Sequence, residues 1–428
     1  MSHTVRLRDS LLQWENKTYL YDVNKGVDIS YKDLSLRTEA CAKKLNSVVH
    51  PGDIVGVVFN DPGWSISSIL ACWRLGVIPA VFDPHVSFNR LQVMSSCVKP
   101  SLYLSDKPFL KEFSVGPQID VTTLRLPDTH PSELVSFEID PDKSPCILLF
   151  TSGTTGVPRC VPLSLSNIYH NVDAFSDALN LTEEDVLLCT SPIWYAHGLY
   201  NSLLTGLLKG FKVVYGGVLN ITNAKKILES AIDHNVSVYH VSPSMLAILS
   251  LMGERLDYLP TIKWTVVGTS KVLNHDKKRF ESIFSATVTQ QYGMVEALLI
   301  AVNFDKQVER PQSVGRALGC VIKICGYKGE ELQSGEEGLV YVLSDSLFGS
   351  YYGESNDNDN PYKGGWFETG DLGVLDEKGY LTITGRQKEI IKKGGISINP
   401  HEIDDILILH EDVSESVTIG MPDEYYGE

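Results

Sequence analysis

The sequence predicts an α/β protein. The expected plan is a large N-terminal domain of parallel-rich sheets flanked by helices plus a small β-barrel-like section, followed by an incomplete small α+β C-terminal domain. Three observations predict this. Short β-branched runs alternate with helical patterns through most of the chain, the signature of parallel sheets covered by helices. Runs such as Cys146-Ile147-Leu148-Leu149-Phe150 are apolar throughout, as strands buried on both faces require. Near residue 310 glycine becomes dense, and turns such as Gly335-Glu336-Glu337-Gly338 and Glu377-Lys378-Gly379 punctuate short strands, which reads as an antiparallel or barrel-like section.

In chain order, strands are expected at 53–59, 77–83, 101–105, 146–150, 186–190, 211–215, 236–241, 262–267 and 287–291. Helices are expected at 34–45, 65–75, 88–98, 166–179, 224–234 and 244–252. In the fourth of these, Ile168, Val172, Phe175 and Leu179 fall on one helical face. The Asn- and Asp-rich stretch 353–361 reads as a surface loop. A last helix is announced by Asn399 as N-cap, Pro400 at the first helical position and Glu402 three residues after the cap.

Lys and Arg total 37 against 53 Asp and Glu, a net charge of −16, which argues against a nucleic-acid binder. The eight cysteines form no CxxC pair, so a zinc site is not expected. Cys320 and Cys325 are expected on a buried strand. No apolar run approaches the ~20 residues of a membrane span, and the first residues lack a basic-then-apolar signal region. The chain reads as cytoplasmic and thiol-reduced.

The strongest single signal is Phe150-Thr151-Ser152-Gly153-Thr154-Thr155-Gly156-Val157-Pro158-Arg159, directly after an apolar strand. Hydroxyls interleaved with glycines can offer side-chain and backbone donors to phosphate oxygens at close approach. It is not a Walker loop, which counted from Gly153 needs Gly-Lys where this sequence has Pro158-Arg159.

This loop resembles the signature of the adenylate-forming (AMP-binding) superfamily, which includes acyl- and aryl-CoA synthetases and stand-alone adenylation enzymes. Further similar segments follow in the family's order. They are Pro192-Ile193-Trp194-Tyr195-Ala196-His197-Gly198-Leu199, Val267-Gly268-Thr269-Ser270, and Gln290-Gln291-Tyr292-Gly293-Met294-Val295-Glu296. Then come Gly365-Trp366-Phe367-Glu368-Thr369-Gly370-Asp371-Leu372, Gly385-Arg386-Gln387-Lys388 and Lys392-Lys393-Gly394-Gly395.

The resemblance implies an ATP-dependent carboxylic acid ligase. An acyl-adenylate forms with release of pyrophosphate, and a thiol then displaces AMP. ATP and Mg²⁺ are the implied cofactors, with CoA or a phosphopantetheine thiol on an acyl carrier protein as acceptor. Residues 151–156 would cradle phosphates, with Arg159 beside them. Gly268, Thr269 and Ser270, with Gln291, Tyr292, Gly293 and Met294, would surround the adenine. Asp371 would accept the ribose hydroxyls, with Arg386 beside it, and Glu296 would hold the metal. His197 and Tyr195 would line the acid pocket. Lys388 would be the hinge, placing the N-terminal domain at 1–387 and a partial C-terminal lid at 388–428. Lys393 would face the site during thiol transfer.

This sequence departs from the family pattern in several places. Tyr195 stands at a His position, Arg159 replaces the usual Lys, Val295 replaces a Thr, and Gln291 stands where Gly is common. These departures motivate a second reading, a non-catalytic adenylate-binding protein. The absence of a carboxylate between Pro192 and Leu199 favours a simple carboxylic acid over an α-amino acid. The charge leans toward CoA as acceptor. The resemblance also implies that the chain stops within the C-terminal domain, before the catalytic lysine of that family, so that it is expected to bind nucleotide but adenylate poorly.

Overall fold

The computed structural model describes residues 3–107, 116–127, 144–151, 158–253, 262–270, 272, 274–284, 286–305, 312–353, 360–408, 410, 412–413 and 416–428. The chain divides into two compact units, Met1–Leu299 with Asp345–Ser355, and Ile300–Ser344 with Asn356–Glu428.

The first unit contains a six-stranded sheet in the order Gln118–Asp120, Leu102–Ser105, Ile54–Val58, Ile78–Val81, Ile147–Thr151, Arg159–Leu163. All neighbours are parallel except the last pair, an antiparallel hairpin that brackets the hydroxyl-rich loop. A second run of strands follows the order Val288–Met294, Trp264–Val267, Val238–Val241, Val186–Cys189, Lys212–Tyr215, Thr18–Asp22, Val27–Ser30. It is parallel until the terminal Thr18–Asp22/Val27–Ser30 hairpin. Helices cover these sheets. On Leu165–Ala178 and its cap, the expected face of Ile168, Val172, Phe175 and Leu179 is buried at 0–2% exposure.

Every expected strand and helix up to residue 291 is present, with ends shifted by a few residues. Other elements carry no strong periodicity and were not foreseen. The helix His3–Gln13 is polar on most sides and buries only Leu7 and Leu11. It is tied down by a forked pair from Arg6 to Asp173, at 2.5 and 2.6 Å. Leu199–Leu204 is π-helical and wholly buried, Asn201 and Ser202 included.

The second unit is antiparallel, in the order Val321–Cys325, Glu337–Leu343, Trp366–Leu375, Tyr380–Arg386, Gly315–Ala317, Leu298–Val302. Antiparallel pairing was expected; a closed barrel does not form among the described residues. Cys325 is the buried last residue of a strand that starts exposed at Val321, whereas Cys320 precedes that strand and bonds through Sγ to the Ile300 carbonyl at 3.2 Å. Lys392-Lys393 and the Ile396–Ile398 strand form a hairpin about Gly394 and Gly395, whose φ values of 57° and 85° suit a two-residue turn.

The final helix, Pro400–Leu407, starts where expected, but Glu402 does not close a capping box. The Asn399 side chain accepts from the His401 N–H at 3.1 Å and donates to the Thr384 carbonyl at 2.9 Å. It therefore caps the helix and moors it to the Tyr380–Arg386 strand. Asn399→Ala is expected to cost about 1–2 kcal/mol, the sum of a lost cap and one buried hydrogen bond. Asn399→Ser, which keeps the cap only, should recover part of that in denaturant unfolding; equal losses in both would disprove the dual role.

Candidate active site

Thr151 and Arg159 are paired across the hairpin that brackets the loop. Ser152, Gly153, Thr154, Thr155 and Gly156, the expected phosphate cradle, lie outside the described residues. Arg159 holds its guanidinium over the ring of Tyr351, 4.7 Å from the centroid. The Tyr351 hydroxyl donates to Glu296 Oε1 at 2.9 Å. Burial first, and then the adjoining Glu296 carboxylate, raise the Tyr351 pKa, so the phenol stays protonated as a donor.

Glu296 is only 6% exposed. It stands in the tight connection between the strands Val288–Met294 and Leu298–Val302. Two features close that connection. A Cβ at Gly293 would lie 2.3 Å from the Leu298 carbonyl oxygen, so only glycine fits. Leu298 is left-handed, with φ 58°, a cost that an ordinary reversal would avoid.

The adenine-flanking segments also meet. Gly268 follows the Trp264–Val267 strand, and Thr269 is left-handed at φ 76°. A Cβ at Gly268 would lie 2.7 Å from the Gln291 side-chain nitrogen, so the missing side chain at 268 makes room for Gln291. Gln291 Oε1 is buried with no hydrogen-bond partner among the described residues. Tyr292, Gly293 and Met294 complete that strand.

His197 and Tyr195 diverge. Tyr195 is 53% exposed and its hydroxyl donates to Asp83 Oδ2 at 3.3 Å. His197 turns inward, where Nδ1 shares a hydrogen bond with Ser191 Oγ at 2.7 Å and Nε2 has no partner among the described residues. Its ring lies edge-on to His240, centroids 6.1 Å apart. Burial lowers His197 to about 4 and His240 to about 3, with His197 adding to the latter shift. Both are neutral at physiological pH. His240, on the Val238–Val241 strand, was not singled out from the sequence; one histidine in an apolar strand gives no motif signal.

In the second unit, Asp371 on Trp366–Leu375 stands opposite Arg386 at the end of Tyr380–Arg386. Arg386 Nε lies 3.2 Å from Asp371 Oδ1. Asp371 is 5% exposed, and its N–H donates to Thr369 Oγ1. Lys388 lies in the short turn Gln387–Glu389, and Lys393 is exposed on Ile391–Lys393.

No cluster of three or more His, Cys, Asp and Glu that could hold a metal occurs among the described residues. A lone buried carboxylate nevertheless fits Mg²⁺. That ion takes one or two carboxylates and completes its shell with water and substrate phosphates. Among the described residues no helix is long and apolar enough to cross a membrane.

An α/β sheet protein with a hydroxyl-rich loop after a buried strand and a buried carboxylate near an arginine is built to handle phosphorylated ligands. A family model described as AMP-binding enzyme matches residues 7–352, and the chain belongs to that family. It is 28% identical over 402 residues to an oxalate–CoA ligase of Arabidopsis thaliana, covering 89% of this chain and 78% of that protein. It is 27% identical over 412 residues to a 2-succinylbenzoate–CoA ligase of Bacillus subtilis, covering 93% and 81%. In fold it is similar to the o-succinylbenzoate–CoA synthetase MenE of Bacillus subtilis, solved in complex with ATP and magnesium ion. That TM-score is 0.85 at 24% identity, covering 97% of this chain and 87% of that one.

Proposed function

We propose that this chain is an ATP-dependent carboxylic acid ligase. The substrate carboxylate oxygen attacks the α-phosphorus of ATP, the bond to pyrophosphate breaks, and an acyl-adenylate results. A thiol, having lost its proton, then attacks the acyl carbon and AMP leaves. The observation that carries this reading is the buried Glu296 carboxylate, joined through Tyr351 to Arg159 at the base of the hydroxyl-rich loop. Phosphoryl displacement needs charge neutralisation and alignment more than covalent help.

In this reading Arg159 and the loop 151–156 hold phosphates, and Asp371 with Arg386 takes the ribose. Gly268, Thr269, Ser270 and the 291–294 strand flank the adenine. Glu296 would hold Mg²⁺, which neutralises phosphate charge when bound. The buried, neutral His197 can donate a hydrogen bond to the incoming carboxylate but brings no positive charge. Tyr195, exposed in the same segment, would line the acid pocket, Lys388 is the hinge, and Lys393 serves thiol transfer.

CoA is the acceptor we favour, because the relatives are named CoA ligases. A carrier-protein thiol is the alternative. Eight free cysteines support a reducing, cytoplasmic setting. ATP–pyrophosphate exchange across aryl, short-chain and dicarboxylic acids, oxalate and 2-succinylbenzoate among them, tests the reading. Exchange with at least one acid is expected. Measurable ATP binding with no exchange for any acid would favour the non-catalytic adenylate binder.

A further inference from the structure

We propose that Tyr351 is a positioning residue that fixes the Glu296 carboxylate for Mg²⁺ and couples it to Arg159 on the phosphate loop. The inference rests on the reading of Glu296 as the magnesium ligand. Tyr351 comes from a segment 55 residues further along the chain, and that segment is moored at both ends of the contact. On one side the Phe348 N–H donates to the Glu296 carbonyl at 3.0 Å. On the other the Tyr352 N–H donates to the carbonyl of Cys160, the neighbour of Arg159, at 2.9 Å. Further back, Ser346 Oγ accepts from the buried Asn171 amide at 3.2 Å, and Asn167 Nδ2 donates to the carbonyls of Asp345 and Leu347 at 2.7 and 3.0 Å. Phe348 meets the Tyr351 ring edge-on at 4.8 Å. Five hydrogen bonds and one aromatic contact therefore define where this ring stands.

The ring has two separate uses. Its hydroxyl donates to one Glu296 oxygen, which orients the carboxylate. Its face carries the Arg159 guanidinium. A planar guanidinium stacks on an aromatic face, whereas lysine's compact, strongly hydrated ammonium is less suited to it. The departure from lysine at position 159 thus has a partner built for it. Groups that orient a metal ligand from behind commonly change metal affinity 10- to 100-fold when removed.

The test is calorimetric titration of ATP at a series of Mg²⁺ concentrations, alongside AMP titration in EDTA. Tyr351→Phe keeps the ring and loses the hydroxyl. It should raise the Mg²⁺ concentration that half-saturates the gain in ATP affinity by about tenfold or more. AMP affinity in EDTA should stay within about twofold, since this measurement contains no metal. Tyr351→Leu, which also removes the ring, should lower ATP affinity further even at saturating Mg²⁺. A Tyr351→Phe half-saturation equal to that of the parent overturns the proposal. So does loss of AMP binding in that variant, which would mark a general structural role. If ATP binding by the parent chain ignores Mg²⁺ altogether, the Glu296 reading fails and this inference falls with it.

Discussion

Asp371→Ala is expected to weaken AMP binding by roughly 30- to 1000-fold, or about 2–4 kcal/mol. Asp371 is 5% exposed, its backbone N–H donates to Thr369 Oγ1, and its carboxylate lies 3.2 Å from the Arg386 guanidinium. In the proposed role it accepts hydrogen bonds from both ribose hydroxyls, and a bond to a charged acceptor is worth about 1.5–3 kcal/mol. Arg386 is largely exposed, so the loss of its partner costs the free protein little. Folding and binding effects therefore separate. Asp371→Asn keeps the shape and one acceptor oxygen and should fall between the parent and the alanine variant. Calorimetric titration with AMP reads the affinities, and a thermal melt checks the fold. An unchanged AMP affinity in Asp371→Ala would remove the ribose assignment.

Acidification is expected to destabilise the first unit through His197 and His240. Burial holds them at about 4 and about 3, while the unfolded chain titrates them near 6.5. Between those values the unfolded state binds more protons than the folded one. Stability is thus fully present above pH 6.5 and falls as the pH drops toward 4. From pH 7 to 5.5 each imidazole should remove about 1.2 kcal/mol, roughly 2.5 kcal/mol for the two. His240→Phe puts an aromatic ring beside Phe175, whose centroid lies 5.2 Å from the histidine, and should about halve the loss. Urea unfolding at pH 7.0 and 5.5 measures both. A variant that loses as much stability as the parent over this interval would show that His240 is not held neutral.

Much of the fold was legible because its signals are local. Apolar runs at 146–150 and 186–190 became strands, since a parallel strand needs nothing more than both faces buried. The Leu165–Ala178 helix was legible from one apolar stripe. The barrel-like expectation for the glycine-rich part went too far, because turns predict antiparallel pairing but not closure. The helix His3–Gln13 was missed because a distant ion pair, not its own pattern, holds it.

The site divides in the same way. Asp371 and Arg386 were named from motifs, and the hairpin register between their strands brings them together. Glu296 was named likewise, and its tight turn follows from Gly293 nearby in sequence. Tyr351, His240 and Asn171 gave no signal. Each acts through residues far along the chain: Asn171, for example, donates to the Leu299 carbonyl from 128 residues away.

The sequence by itself determined the α/β class, the order of the nucleotide-handling motifs and which carboxylates to suspect. Those depend on short-range patterns of apolar residues, glycines and hydroxyls. Only the tertiary structure decided that Gln291 packs into the space left by Gly268. It also decided that Tyr195 and His197 part company, one exposed beside Asp83 and one buried beside His240. The ring of Tyr351 between Arg159 and Glu296 belongs with these. The physical reason is the same in each case. Burial, desolvation and hydrogen-bond partnership are properties of neighbours in space, and here the neighbours come from separate strands and turns.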